Sequence, residues 1–199
     1  MAHYVRSLRL VQGGTNWVIP DTLAAIPDNL TSFHNVESLA LVGLDLTRFD
    51  KRSLDHFFRR FSENLISLSI VRSTVNPNAL LSLLYIFPKL DNLKLDNPRM
   101  GRASVPSPSL TAAPRLRGKL TLLNIERRWG SSTIAPFAYR ALPIAFRDLC
   151  VENCTFKTSR LLKDLFAACK ETVRVLKLVD IYMGQSHPRS SSKLTLTCL

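Results

Sequence analysis

Two apolar residues separated by a single position return seven times along this chain at nearly constant spacing. No other feature of the sequence constrains the fold as much. The pairs are Leu8/Leu10, Leu39/Leu41, Leu68/Ile70, Leu93/Leu95, Leu120/Leu122, Leu149/Val151 and Leu176/Leu178. Their first members lie 31, 29, 25, 27, 29 and 27 residues apart, a mean of 28. Alternate residues of a strand share a face, so each pair marks a short strand with two apolar side chains on one side. Leucine supplies 33 of the 199 residues, so chance pairs are common and a stricter criterion is needed. A third apolar residue stands three positions before the pair in six registers, as Val5, Val36, Leu65, Leu90, Phe146 and Val173, and only Arg117 breaks the rule.

A second periodicity keeps phase with the first. Leu54, Phe57, Phe58 and Phe61 fall at i, i+3, i+4 and i+7, one face of a helix. Leu80, Leu83, Leu84 and Phe87 repeat the pattern, as do Leu162, Leu165, Phe166 and Cys169. These sets begin 14, 13 and 14 residues before Leu68, Leu93 and Leu176. A strand and a helix in constant phase make a unit that buries its apolar face only by stacking on its neighbours.

The segment from Phe146 to Phe156 fits the consensus L-x-x-L-x-L-x-x-N/C-x-L. In it Cys154 is expected to turn inward and bond the open backbone of the bend. The fold expected is α/β: a leucine-rich-repeat solenoid of about seven irregular strand–helix/loop repeats with a parallel concave sheet, over residues 1–183. From Gly184 the composition turns to Gln-Ser-His-Pro-Arg-Ser-Ser-Ser, and 184–199 is expected to be a disordered or frayed tail.

Strands are predicted near 4–12, 36–42, 66–71, 91–95, 119–125, 148–152 and 173–178. Strong helices are predicted over 52–62, with Ser53 as N-cap, over 79–87 with Asn76 as cap and Pro77 in the first turn, and over 159–170. A weak helical signal lies in 15–35, and one or two helical turns fit between Pro136 and Pro143. Residues 97–118 and 126–130 read as loops.

No run of about 18 apolar residues is present, so no membrane span is implied. The N-terminus shows no secretory leader pattern, and the four cysteines form no C-x-x-C pair. Reduced thiols in an intracellular protein, cytoplasmic or nuclear, are therefore expected, with no metal and no cofactor. Asn29-Leu30-Thr31 and Asn153-Cys154-Thr155 match glycosylation sequons, which on this reading are incidental. P-loop, G-x-G-x-x-G, G-x-S-x-G and H-E-x-x-H motifs are missing, and His3, His34, His56 and His187 are scattered, so no enzyme is read.

The residues flanking each central leucine face away from the helices and form the expected binding surface. Those singled out are Arg9, Ser38, Ser67, Ser69, Asn92, Lys94, Lys119, Thr121, Asp148, Cys150 and Lys177. Trp129, between Arg128 and Gly130, is a candidate loop anchor, because aromatic residues are enriched at interface hot spots; its alternative role is packing where that unit lacks a full helix. Cys150, beside Arg147 or Lys177, is either a thiol of lowered pKa or simply a small strand residue.

The formal net charge of +12 raises nucleic acid or an acidic partner as the target. Charge on the strand face discriminates between them. The bases there are Arg6, Arg9, Arg72, Lys94, Lys119, Arg147, Arg174 and Lys177, against Glu37, Asp91, Asp96, Asp148, Glu152 and Asp180, a net of +2. A nucleic-acid groove concentrates its positive charge, whereas a mixed polar face suits protein recognition.

The stretches Phe33-His34-Asn35-Val36-Glu37-Ser38-Leu39-Ala40-Leu41, Leu65-Ile66-Ser67-Leu68-Ser69-Ile70, Phe87-Pro88-Lys89-Leu90-Asp91-Asn92-Leu93-Lys94-Leu95 and Gly118-Lys119-Leu120-Thr121-Leu122 carry a resemblance. Over roughly residues 3–183 the chain resembles fungal, especially basidiomycete, proteins with an N-terminal F-box and a divergent leucine-rich-repeat array. The resemblance implies that the repeats bind the protein to be ubiquitinated, while the F-box recruits the adaptor of a cullin-RING ligase. The F-box itself is absent here, so an adaptor is expected only if an F-box exists outside this chain. The expected function is a non-catalytic protein–protein interaction module, possible as the substrate-recognition region of such a ligase subunit. The alternatives are a basic nucleic-acid-associated scaffold and a truncated gene product without independent function, its first strand lacking the polar cap that a solenoid end needs.

Overall fold

The computed structural model describes residues 4–12, 33, 35–49, 51–101, 117–126, 146–156, 160–183 and 192–198. Each predicted strand is present: β1 Ser7–Val11, β2 Ser38–Val42, β3 Ser67–Val71, β5 Asn92–Asp96, β7 Lys119–Leu123, β8 Asp148–Phe156 and β9 Val175–Met183. These seven are parallel neighbours in the order β1-β2-β3-β5-β7-β8-β9. Parallel pairing needs a crossover of a dozen residues or more between strands, which steps of 25 to 31 residues supply. The register is that of the sequence period: Leu8 lies beside Leu39, Leu39 beside Leu68, and so on through Leu93, Leu120 and Leu149 to Leu176.

Among the described residues three α-helices accompany the sheet: α1 Lys51–Phe58, continued by a 3-10 turn at Arg59–Phe61, α2 Pro77–Ile86 and α3 Arg160–Cys169. The helical apolar sets and the central leucines form one core, in which Leu54, Phe57, Phe58, Phe61, Leu80, Leu83, Leu84, Phe87, Leu162 and Leu165 are buried with Leu39, Leu68, Leu93 and Leu120. Edge-to-face contact between Phe58 and Phe87, ring centroids 6.2 Å apart, ties α1 to α2. Of the third apolar positions, Val36, Leu65, Leu90 and Phe146 are buried, while Arg117, the exception, is exposed.

Helix α2 starts as its sequence demands: Asn76 Oδ1 accepts from the Ala79 amide at 2.7 Å, with Pro77 following, where a missing N–H costs nothing. Helix α1 differs from expectation. It begins at Lys51, so Ser53 sits inside the first turn and is not the N-cap.

Just past the paired leucines, six of the seven strands carry a conformation that the apolar pattern does not announce. Gly43, Arg72, Asn97, Asn124, Asn153 and Asp180 all have positive φ, between +47° and +69°. Each lies four residues after the first leucine of its pair. The kink turns the chain, and pairing then resumes in a second, shorter parallel ladder. Thr74–Val75 (β4) pairs with Arg99–Met100 (β6), Asp45 bridges Thr74, and Thr155 and Phe156 of β8 pair with Tyr182 and Met183 of β9. Residues 97–118 are thus not wholly loop, since β6 falls within them.

The residue after each kink points inward. Cys154 is fully buried, and its Sγ lies 3.5 Å from the Leu122 carbonyl and 3.2 Å from that of Glu152. Ser73 holds the same register position: its hydroxyl lies 3.1 Å from the Leu41 and Val71 carbonyls and accepts from the Leu44 amide at 3.1 Å. The sequence pointed to Cys154 for this role and passed over Ser73.

The expectation of a frayed or disordered tail over 184–199 is corrected at its end. Ser192–Cys198 forms β10, antiparallel to β9, with Ser192 beside Met183 and Cys198 beside Leu176. The alternation of Leu194 and Leu196 is a strand pattern, masked in the sequence by the Ser-rich segment before it. Residues 184–191 lie outside the described residues, as do the weak helical segments within 15–32 and 135–142.

Candidate functional site

Strand alternation sends Leu39 and Leu41 into the core and leaves Ser38, Ala40 and Val42 on the other face of the sheet. Repeated in register across seven strands, this produces three rows. The first is Ser7, Ser38, Ser67, Asn92, Lys119, Asp148 and Val175. The second is Arg9, Ala40, Ser69, Lys94, Thr121, Cys150 and Lys177. The third is Val11, Val42, Val71, Asp96, Leu123, Glu152 and Val179. All eleven strand residues singled out from sequence therefore share this open face. Trp129 lies outside the described residues.

The face is low over β2 and β3. Ser38, Ala40, Ser67 and Ser69, the shortest side chains, occupy β2 and β3, with Arg9 on one side and Lys94 on the other. At the carboxyl ends of these strands the face opens into a groove of about 520 Å³, floored by Val42 and Val71 and edged by Arg9, Arg72, Asp96 and Asn124. A second hollow of about 500 Å³ lies at their amino ends, between Tyr4, Ile66 and Lys89.

The charges of the face largely answer one another. Lys94 Nζ lies 3.4 Å from Asp96 Oδ2, Lys177 Nζ 3.3 Å from Glu152 Oε2, Arg6 3.6 Å from Glu37, and Arg147 3.7 Å from Asp91. Exposed pairs of this kind contribute little to stability, about 0–1 kcal/mol each, but they cancel the local field. Among the described residues Arg9, Arg72, Lys119 and Arg174 make no ion pair, and these four carry the positive excess of the face.

Cys150 stands between Thr121 and Lys177 and is only 8% exposed. Burial pushes its thiol up, against the opposing pull of Lys177. Of the two readings of Cys150, this burial supports the small strand residue and not the lowered thiol. Packing between neighbouring strands desolvates the sulfur more than the flanking cations stabilise a thiolate. Cys154 and Cys169 are likewise buried and raised by burial, Cys154 to about 12.

Two features of the site were not singled out from sequence. One is the groove at the strand ends, which needs the kinked residue Arg72 to turn back over the third row. The other is the chain of side-chain bonds beyond the strands, in which Asn153 Nδ2 donates to Asn124 Oδ1 at 2.7 Å and Asn124 Nδ2 to Asp96 Oδ1 at 2.8 Å. Its signal was present, an Asn at 124 and 153, each four after the first leucine of its pair.

Among the described residues no helix is long and apolar enough to cross a membrane. No protein-family model matches the chain, and no curated protein matches it.

Proposed function

We propose that the chain is a leucine-rich-repeat solenoid acting as a non-catalytic protein-interaction module, its partner bound on the open strand face. The observation that carries this reading is the strict register of seven parallel strands. It sets Ser38, Ser67, Asn92, Lys119 and Asp148 in one line and Ser69, Lys94, Thr121 and Lys177 in the next. A broad polar face of mixed, mostly paired charge suits recognition of a folded or extended protein. The left-handed residue four positions after the first leucine in six of the pairs and the inward Ser73 and Cys154 support the repeat assignment.

The resemblance to F-box proteins gives the module a setting: substrate recognition for a ubiquitin ligase inside the cell. The ligase adaptor belongs to that setting only through an F-box outside this chain.

The test is a two-hybrid library screen with the full chain, repeated with Ser69→Arg and Thr121→Arg on the open face and with Lys163→Glu on the exposed side of α3. Partners lost with the face variants and kept with the α3 variant uphold the reading. Partners lost only with the α3 variant sink it. So does tighter, steeply salt-dependent binding to random oligonucleotides, which would favour the nucleic-acid scaffold.

A further inference from the structure

The groove at the carboxyl ends of β1, β2, β3 and β5 is edged by two arginines that no carboxylate among the described residues pairs. Arg9 stands on β1 in the second row. Arg72 follows β3, two strands away and three residues further along. At ordinary sheet spacings their backbones are separated by about 10 Å across the strands and about 10 Å along them. Both side chains line the same groove of about 520 Å³.

The groove also holds one carboxylate, Asp96, but it is already compensated. Its Oδ2 faces Lys94 at 3.4 Å and its Oδ1 accepts from Asn124 at 2.8 Å. What the groove offers a ligand is therefore two guanidinium groups over a floor of Val42 and Val71.

Arg72 is held there against its own conformational preference. Of the six described residues with positive φ, five are Gly, Asn or Asp, the types that enter the left-handed region most readily. Arg72, with φ of +49°, is the exception. The strand needs only a kink at this position, and Gly43 and Asn97 provide it on either side. A bulky residue kept in a disfavoured backbone conformation points to a role for its side chain.

We propose that this groove captures a carboxylate side chain of an acidic peptide segment in the partner protein, held between Arg9 and Arg72. The aliphatic stem of a Glu or the neighbouring peptide backbone would rest on Val42 and Val71. Planar guanidinium groups match a carboxylate in two-pronged fashion. The proposal rests on the reading of the open face as a protein-binding surface and names the chemistry of what binds. A nucleic acid fits less well, because beyond the groove the charges of the face are largely paired, Arg6 with Glu37, Arg147 with Asp91 and Lys177 with Glu152, and offer phosphates no continuous positive track.

Panning a random peptide display library against the full chain tests it. Wild-type protein is expected to enrich peptides that share a Glu or Asp. The best synthetic peptide, followed by fluorescence anisotropy, should weaken about tenfold with Arg9→Gln and about tenfold with Arg72→Gly, the size of a lost charge-assisted bond. Exchange of its acidic residue for the amide should abolish the difference between wild type and variants. Arg72→Gly suits the left-handed backbone and should unfold at the wild-type temperature or above it, so its weaker binding cannot come from a damaged fold. Enriched peptides that lack an acid, or that ignore both substitutions, overturn the groove proposal and leave the interaction reading standing. No enrichment at all, or displacement of every peptide by a thymidine oligonucleotide that binds through Arg72, overturns both.

Discussion

Asn153 donates its side-chain amide to Asn124 Oδ1 at 2.7 Å, one strand away and outside the backbone ladder. Asn124 hands its own amide on to Asp96 Oδ1 at 2.8 Å. The backbone runs in parallel with this chain: the Asn97 amide donates to Leu123 O at 2.9 Å and the Asn124 amide to Glu152 O at 3.1 Å. The asparagines thus do two things at once. They accept the left-handed kink that follows the paired leucines, and they bond one strand to the next.

Replacing Asn124 separates these roles. Asn124→Gly keeps the easy left-handed backbone and loses the side-chain bonds, whereas Asn124→Ala loses both. The alanine variant is expected to be destabilised by about 1–2 kcal/mol and the glycine variant by less. Urea midpoints give the order wild type, Gly, Ala. Equal midpoints for the two variants would show that the kink carries no strain.

Gly118 and Gly43 are required for different reasons. A Cβ on Gly118 would collide with the backbone carbonyl and carboxyl group of Asp91, so Gly118→Ala forces β7 away from β5. The expected loss is about 1–3 kcal/mol, typical of overpacking. At Gly43 the nearest atom, the Gln12 carbonyl oxygen, is 3.7 Å away, and only the φ of +69° penalises a side chain. Gly43→Ala should therefore cost less, about 1 kcal/mol. A calorimetric unfolding series in which Gly43→Ala is the worse of the two would contradict this assignment.

Ser73 and Cys154 close the same bend three strands apart. Ser73→Ala leaves the Leu44 amide without its 3.1 Å acceptor in a buried site, an expected loss of about 1–3 kcal/mol. Ser73→Cys installs the side chain that serves at Cys154 and should retain more stability than the alanine variant. Denaturant unfolding that finds the two variants equal would remove the hydrogen-bonding role.

Cys154 also makes stability depend on pH at the alkaline end. Its ordinary thiol value of 9.0 is raised in the folded protein to about 12 by burial. Below pH 9 both folded and unfolded chains hold the proton, and the group contributes no pH dependence. Between 9 and about 12 the unfolded chain releases it and the folded chain does not, so stability falls as pH rises. The slope from this group alone is about 1.4 kcal/mol per pH unit. Comparing wild type with Cys154→Ser over that range isolates it, and parallel curves would refute the assignment.

The open face was legible from sequence because alternation is local. Once Leu68 and Ile70 are known to point inward, Ser67 and Ser69 must point out. The helical face Leu54, Phe57, Phe58 and Phe61 followed from the 3.6-residue period in the same way, and all four are buried. The cap at Asn76 was readable because its partner is only three residues away. Ser53 was misread because Lys51 and Arg52 carry no apolar mark, although both already belong to α1.

What involves a neighbouring unit was not readable in this way. Arg72 counted among the charges of the face, yet its place at the groove with Arg9 depends on a φ of +49° and on β1 lying two strands over. The direction of the Cys150 thiol depended on how tightly Thr121 and Lys177 close over it, and burial outweighed charge.

The sequence by itself determined the period, the phase between strand and helix, and which side chain of each strand faces the core. These follow from the geometry of a single element and its own hydrophobic pattern. Only the tertiary structure decided the second ladder of β4 and β6, the antiparallel closure by β10, the pairing of charges on the face and the groove between Arg9 and Arg72. Except for Lys94–Asp96 within β5, each of these brings together residues from different strands or strand ends, and such contacts exist only once the strands are set side by side.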